Sequence, residues 1–187
     1  MVRLPRVLLC GMSVLIGGQV LAATSPTDMP HDSVNPNVEE SPGWSESAVK
    51  LPPFPVDGDM LAMDLDYKSR FNYSIDQKNL VSNISDGTVR YTLITESDRG
   101  TRNVLFESMH CGRMEYKTYA YGNARTQQWR KVKKPQWREI RQGGLNPYHH
   151  RMWQFYLCNG FPSRHFTEQE IIDTIKYTRD YESRDEL

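Results

Sequence analysis

The stretch SDGTVRYTLITESDRGTRNVLFESMHCGRMEYKTYAYG, Ser85 to Gly122, decides the fold. Asp86-Gly87 is a turn pair, after which Val89, Tyr91 and Leu93 alternate with polar residues and share one face of a strand. SDRGTRN is a second turn, and NVLFESMHC a second strand with Val104 and Phe106 on one face. RMEYKTYAYG is a third strand, rich in tyrosine and closed by Gly122-Asn123. Three strands joined by short glycine-containing turns predict an antiparallel meander.

Outward from that core, Phe71, Tyr73 and Ile75 alternate in RFNYSID before a turn at Asp76, and two short strand candidates lie at Trp129 and at Trp137–Ile140. The period then changes. In LNPYHHRMWQFYLCNGFP, Asn146 is a good N-cap and Pro147 suits the first helical position. Tyr148, Met152, Phe155 and Tyr156 form the apolar stripe, and Asn159-Gly160 stops the helix. A second helix begins at Thr167, whose capping box is completed by Glu170, and buries Ile171, Ile172 and Ile175. The predicted class is α+β: a meander of three to five strands packed with two C-terminal helices, over residues 51–181, with a charged tail at 182–187.

The N-terminus has a different character. Arg3 and Arg6 precede an apolar run from Val7 to Ile16, and Val20 and Ala22 fit a cleavage site, which predicts a 22-residue export signal cut after Ala22. The run is too short to span a bilayer, so no transmembrane anchor is expected after processing. Cys10 follows Leu9 only three residues beyond Arg6, too early for a lipid-modified cysteine. Residues 23–50 are acidic and rich in Pro and Ser, which predicts a disordered arm, and LPPFP at 51–55 is an extended entry to the domain. The formal charge of the 187 residues is zero, so loss of Arg3 and Arg6 leaves about −2, which favours no polyanionic or polycationic partner.

Removing the leader leaves two cysteines, Cys111 and Cys158. An even pair in an oxidising compartment predicts one disulfide, closing a loop of about 48 residues. A nucleophilic Cys111 would need a base in reach, and His110, its neighbour on a strand, points to the opposite face. No C-x-x-C is present. The histidines His31, His110, His149, His150 and His165 contain no i, i+4 pair, so no metal is expected. His149 and His150, about 100° apart on a helix, line a surface edge. No phosphate loop, nucleophile elbow or zinc-protease motif occurs, and no cofactor is implied.

The run RKVKKPQWREIR, residues 130–141, is strongly basic. Arg130, Lys131, Lys133 and Lys134 with Trp129 and Trp137 form a candidate binding patch for an envelope protein or an anionic envelope component. Nucleic acid is not expected for an exported chain, and the plainer reading is a solvated strand edge guarded by lysines. Two functions compete: a non-enzymatic binding or envelope-structural module, and a small enzyme using His110, Arg113 or the third-strand tyrosines. A deep pocket joining those groups would favour the enzyme.

LPPFP, FNYSIDQKNLVSNISDGTVRYTLIT, RNVLFESMHCGRMEYKTYAYG, WRKVKKPQWREI and the ending FYLC together resemble the cryptic neisserial protein-like family of exported bacterial proteins, over residues 51–160. The resemblance implies a periplasmic or envelope protein and assigns no activity. It makes coincidences of RDEL at 184–187, an ER-retention look-alike, and of the glycosylation triplets at Asn72 and Asn83.

Overall fold

Alternation of apolar and polar residues lays down one antiparallel sheet. Its strands are β1 (Met60–Met63), β2 (Phe71–Asp76), β3 (Val81–Asn83), β4 (Thr88–Ser97), β5 (Arg102–His110), β6 (Glu115–Asn123), β7 (Gln128–Lys131) and β8 (Arg138–Glu139). The computed structural model describes residues 43–65, 70–143 and 147–185, all within one compact unit, Asp32–Leu187. The main order is β1-β2-β4-β5-β6-β7, with β3 also on β4 and β8 also on β6. The class is α+β, as the alternation predicts, but with eight strands rather than three to five. Sequence reading missed β1 and β3, both too short to show a period.

The helices lie on one face of the sheet. α1 (Pro147–Arg151) continues into a wider π-helical segment, Met152–Leu157, and α2 (Glu168–Asp185) follows. α2 starts with the predicted capping box: Thr167 donates through its backbone N and its hydroxyl to Glu170 Oε2, and the Glu170 amide donates back to Thr167 Oγ1. Ile171 and Ile175 are buried and Ile172 packs at the margin. Because α2 runs to Asp185, the expected tail at 182–187 begins inside a helix. Asn146 and the leader lie outside the described residues.

The helix-facing core joins Leu61, Ile75, Leu93 and Leu105 across four strands in direct register, with Val89, Met109 and Tyr116 beside them. Cys111 and Cys158 are bonded, 47 residues apart, which ties the end of the π-helical segment to the sheet. Trp153 reinforces the joint by donating its indole N–H to the Cys111 carbonyl at 3.0 Å.

The opposite face is covered too, and this corrects the expected arm over its residues 43–50; residues 23–42 lie outside the described residues. Residues 43–56 form an extended strap across the sheet, so the ordered domain begins before residue 51. Composition predicted disorder because the strap has few apolar groups of its own; polar and aromatic contacts hold it instead. Trp44 donates its indole N–H to the Asp86 carbonyl, Arg90 bonds the Ser47 carbonyl, Lys117 pairs with Glu46 at 2.6 Å, and Tyr119 donates to the same carboxylate. Trp129 donates to the Pro52 carbonyl and packs at a tilt against Phe54, ring centroids 5.3 Å apart. β4 therefore shows eight consecutive buried residues, Thr88–Thr95, in place of the one-sided alternation its sequence displays.

Gly122 is where the strap comes closest: a Cβ there would lie 2.8 Å from both a Phe54 ring carbon and Val104 Cβ. Gly122→Val should cost about 1–3 kcal/mol in urea unfolding and speed tryptic cleavage after Lys50. Cys111→Ser, Cys158→Ser and the double variant should each lose a similar amount, about 2–5 kcal/mol. Additive losses would show that the two sulfurs do not act as a pair.

Candidate functional site

The chemistry-bearing residues fall into three places. The first is a buried carboxylate. Glu107 points to the helix face of β5, between Leu105 and Met109, and is 1% exposed. A bulge after Phe106 shifts the pairing so that Thr118, not Tyr119, stands opposite it. Glu107 then accepts from Thr118 Oγ1 at 2.7 Å and from the Tyr91 hydroxyl at 3.2 Å, and His149 Nε2 lies 3.0 Å away. His149 is sandwiched by rings, 3.6 Å from Tyr116 in a near-parallel stack and 4.2 Å from Tyr148.

Burial presses the Glu107 carboxyl upward, but the His149 charge and hydrogen bonds from His149, Thr118 and Tyr91 outweigh it and leave the group below its ordinary range. Burial, with the nearby Glu107 charge, raises the Tyr91 and Tyr148 phenols well above theirs, so both stay protonated. Tyr91, Glu107 and His149 are all buried, and their mutual bonds tie β4, β5 and α1 together.

His149 overturns the surface-edge expectation, being 2% exposed. The inward stripe is His149, Met152, Trp153, Tyr156 and Leu157, at i, i+3, i+4, i+7 and i+8. It is rotated one residue from the predicted one, because Glu107 draws the imidazole in; Phe155 consequently faces out.

The second place is a carboxylate hub beneath the strap. Asp86 accepts from the Thr88 hydroxyl at 2.6 Å, from the Ser47 amide and from Asn83, and pairs with Arg90 at 2.6 Å. Burial pushes this carboxyl up, yet the Thr88 and Ser47 hydrogen bonds and the Arg90 charge bring it below the ordinary value. Beside it His110 lies against Trp44 and Trp137, centroids 5.2 and 6.1 Å away, and accepts the Arg113 amide at Nδ1. Burial, then the Arg113 charge, lowers the His110 pKa. Gly87 adopts φ +69°, and a side chain there would press on the His110 and His165 rings.

The proposed enzymatic set does not converge. Arg113 pairs with Glu115 at 2.8 Å, Tyr116 lies on the helix face, Tyr119 on the strap face, and Tyr121 is exposed. Among the described residues no group of three or more His, Cys, Asp or Glu is placed to hold a metal ion.

The third place is the basic patch, which the structure divides. Trp129 is held under Phe54 and Phe106, while Trp137 is 6% exposed and packs on Trp44 and Lys117. Neither indole forms a surface stacking platform, because each fills the strap interface. The cations remain together: Arg130, Lys131, Lys133 and Lys134 are exposed along β7 and the segment after it. Val49, Lys50, Leu51, Tyr119, Lys131, Val132 and Pro135 enclose a shallow groove of about 430 Å³ there.

An antiparallel sheet clasped between a strap and a disulfide-tied helical layer is the architecture to which the sequence motifs contribute. Residues 39–176 match the CNP1-like family, and the chain belongs to it. It is 25% identical over 155 residues to cryptic neisserial protein 1 of Neisseria gonorrhoeae (strain ATCC 700825 / FA 1090), covering 72% of this chain and 74% of that protein. No solved structure matches.

Glu107→Gln should destabilise by about 1–3 kcal/mol at neutral pH, since an amide cannot replace the carboxylate on which Thr118, Tyr91 and His149 converge in the core. A depressed carboxyl contributes stability above its unfolded value, here 4.5, and loses it as pH falls through the lower folded value. Unfolding free energies measured from pH 7 downward should therefore show an acid-side decline below about 4.5 that is smaller in the Gln variant.

Proposed function

We propose that this protein is a non-catalytic binding module of the bacterial envelope, exported by its leader, whose cationic β7 edge docks on a phosphate-bearing lipid surface. The observation that supports it is the pairing pattern. Lys78, Arg102, Arg113, Lys117, Arg141 and Arg164 all meet carboxylates. Lys50, Arg130, Lys131, Lys133 and Lys134 meet none among the described residues; other cations such as Arg70, Arg99 and Arg125 share that state singly, but these five lie together, and no acid lines the groove that Lys50 and Lys131 border.

A lysine-guarded edge would need only one or two charges to deter pairing. Lys50 and Lys131 on the groove, with Arg130, Lys133 and Lys134 exposed alongside on β7 and the segment after it, give a field that attracts an anionic surface, at about 1 kcal/mol per basic residue. The engaged His110, Arg113 and Tyr119 fit this reading better than a reacting cluster.

Cosedimentation of the full chain with phosphatidylglycerol vesicles should exceed that with phosphatidylcholine vesicles and weaken with salt. Lys131→Glu, Lys133→Glu and Lys134→Glu together should lower partitioning on the order of 100-fold without changing thermal stability. Equal binding to both vesicles would overturn the proposal.

A further inference from the structure

The rotation of the first helix's stripe has a second outcome. By turning Phe155 outward, it builds one wall of a groove of about 580 Å³ between the π-helical segment and α2, lined by Arg151, Phe155, Tyr156, Asn159, Asp173, Thr174, Tyr177 and Thr178. That volume is in the range of small-ligand sites. Phe155 and Tyr177 are 41% and 74% exposed, an aromatic pair bordering the groove. A π-helical widening is itself a frequent mark of a functional position.

The polar groups of the groove sort by what they already do. The Thr174 and Thr178 hydroxyls donate back to the Glu170 and Thr174 carbonyls of their own helix. Asp173 accepts from the Gln169 amide, and the Tyr156 hydroxyl donates to the Asp64 carbonyl. Arg151 is different. Its guanidinium lies 5.2 Å over the Phe155 ring, its Nε is shielded from solvent without a hydrogen-bond partner, and no carboxylate pairs with it among the described residues. A guanidinium seated over a ring keeps its terminal Nη groups for an anion, and their N–H bonds can receive a carboxylate bidentately.

We propose that this groove binds a carboxylate carried next to an aromatic or bulky apolar group, with Arg151 taking the carboxylate and Phe155 and Tyr177 the apolar part. The same chemistry is presented by a small organic acid and by the C-terminus of a chain ending in an apolar residue.

The test is an NMR titration of the full chain, following the Arg151 Nε–H and the Phe155 and Tyr177 rings. N-acetyl-phenylalanine should shift all three and bind on the order of tenfold more tightly than its amide, the difference of one charge-assisted contact. Arg151→Gln should remove that preference, Arg151→Lys should restore part of it, and Phe155→Ala should weaken acid and amide alike. Thermal melts of each variant exclude loss of folding as the cause. A tetrapeptide ending in free phenylalanine that binds more tightly than the single residue assigns the groove to chain ends; equal affinity assigns it to small acids. Equal affinity of acid and amide, or an unaltered preference in Arg151→Gln, overturns the proposal. Vesicle binding should be unchanged in Arg151→Gln, so this result and that of the cationic edge fail or stand separately.

Discussion

A single ionised carboxylate placed in the core sets the terms for the rest of the molecule. An unpaired charge in a low-dielectric interior costs several kcal/mol, so Glu107 is tolerable only where donors converge on it. Those donors come from β4 through Tyr91, from β6 through Thr118 and from α1 through His149. Register and helix rotation are thereby coupled. A one-residue slip of β6 would remove Thr118, and a 100° turn of α1 would replace His149 with Tyr148 or His150. The bulge after Phe106 solves two problems at once, giving Thr118 to Glu107 on one face and Tyr119 to Glu46 on the other.

The strap face repeats the device with Asp86. Here the carboxylate gathers a strand cation, Arg90, a turn hydroxyl, Thr88, and the strap's own Ser47 amide. Polar bonds therefore do for the strap what apolar area does for the helices. Its aromatic anchors are few, Trp44 and Phe54, and each meets a partner indole, Trp137 or Trp129. The sheet in between is buried on both sides, a condition more typical of parallel sheets, and it explains how a segment of Thr and Arg can be as enclosed as one of Leu and Ile.

Much of this was legible beforehand, for reasons particular residues make plain. Val89, Tyr91 and Leu93, flanked by Asp86-Gly87, announce their strand through period and turn chemistry, and Thr167 with Glu170 announces a helix start. The strap escaped because Pro and Ser composition reports the apolar content of a segment and not the donors waiting for it elsewhere. His149 is hidden in the sequence because histidine counts as a polar residue, although His149, Met152, Trp153, Tyr156 and Leu157 make a better helical stripe than the one beginning at Tyr148. A glutamate between Leu105 and Met109 on a core-facing row was the matching signal: a charge there requires a partner, and the nearest helical histidine supplies one. Trp129 and Trp137 read as surface groups in the sequence because the segment that covers them carries few apolar residues of its own.

The distribution of polar chemistry also determines where recognition can occur. Glu107, Asp86, Tyr91, Tyr119 and His149 are held inside by one another, so their bonds resist exchange for a ligand's. Accessible groups lie at the periphery, among them those on the cationic end of the sheet and in the groove beside α2. The groove's first wall is anchored by the Cys111–Cys158 bond and by Trp153, which fix the π-helical segment to the sheet at adjacent points. Rigid support of that kind lowers the ordering cost of binding. Arg151 and Phe155 thus owe their outward, stacked placement to the same buried carboxylate that drew His149 in, and the molecule's interior electrostatics reach its surface through the rotation of one short helix.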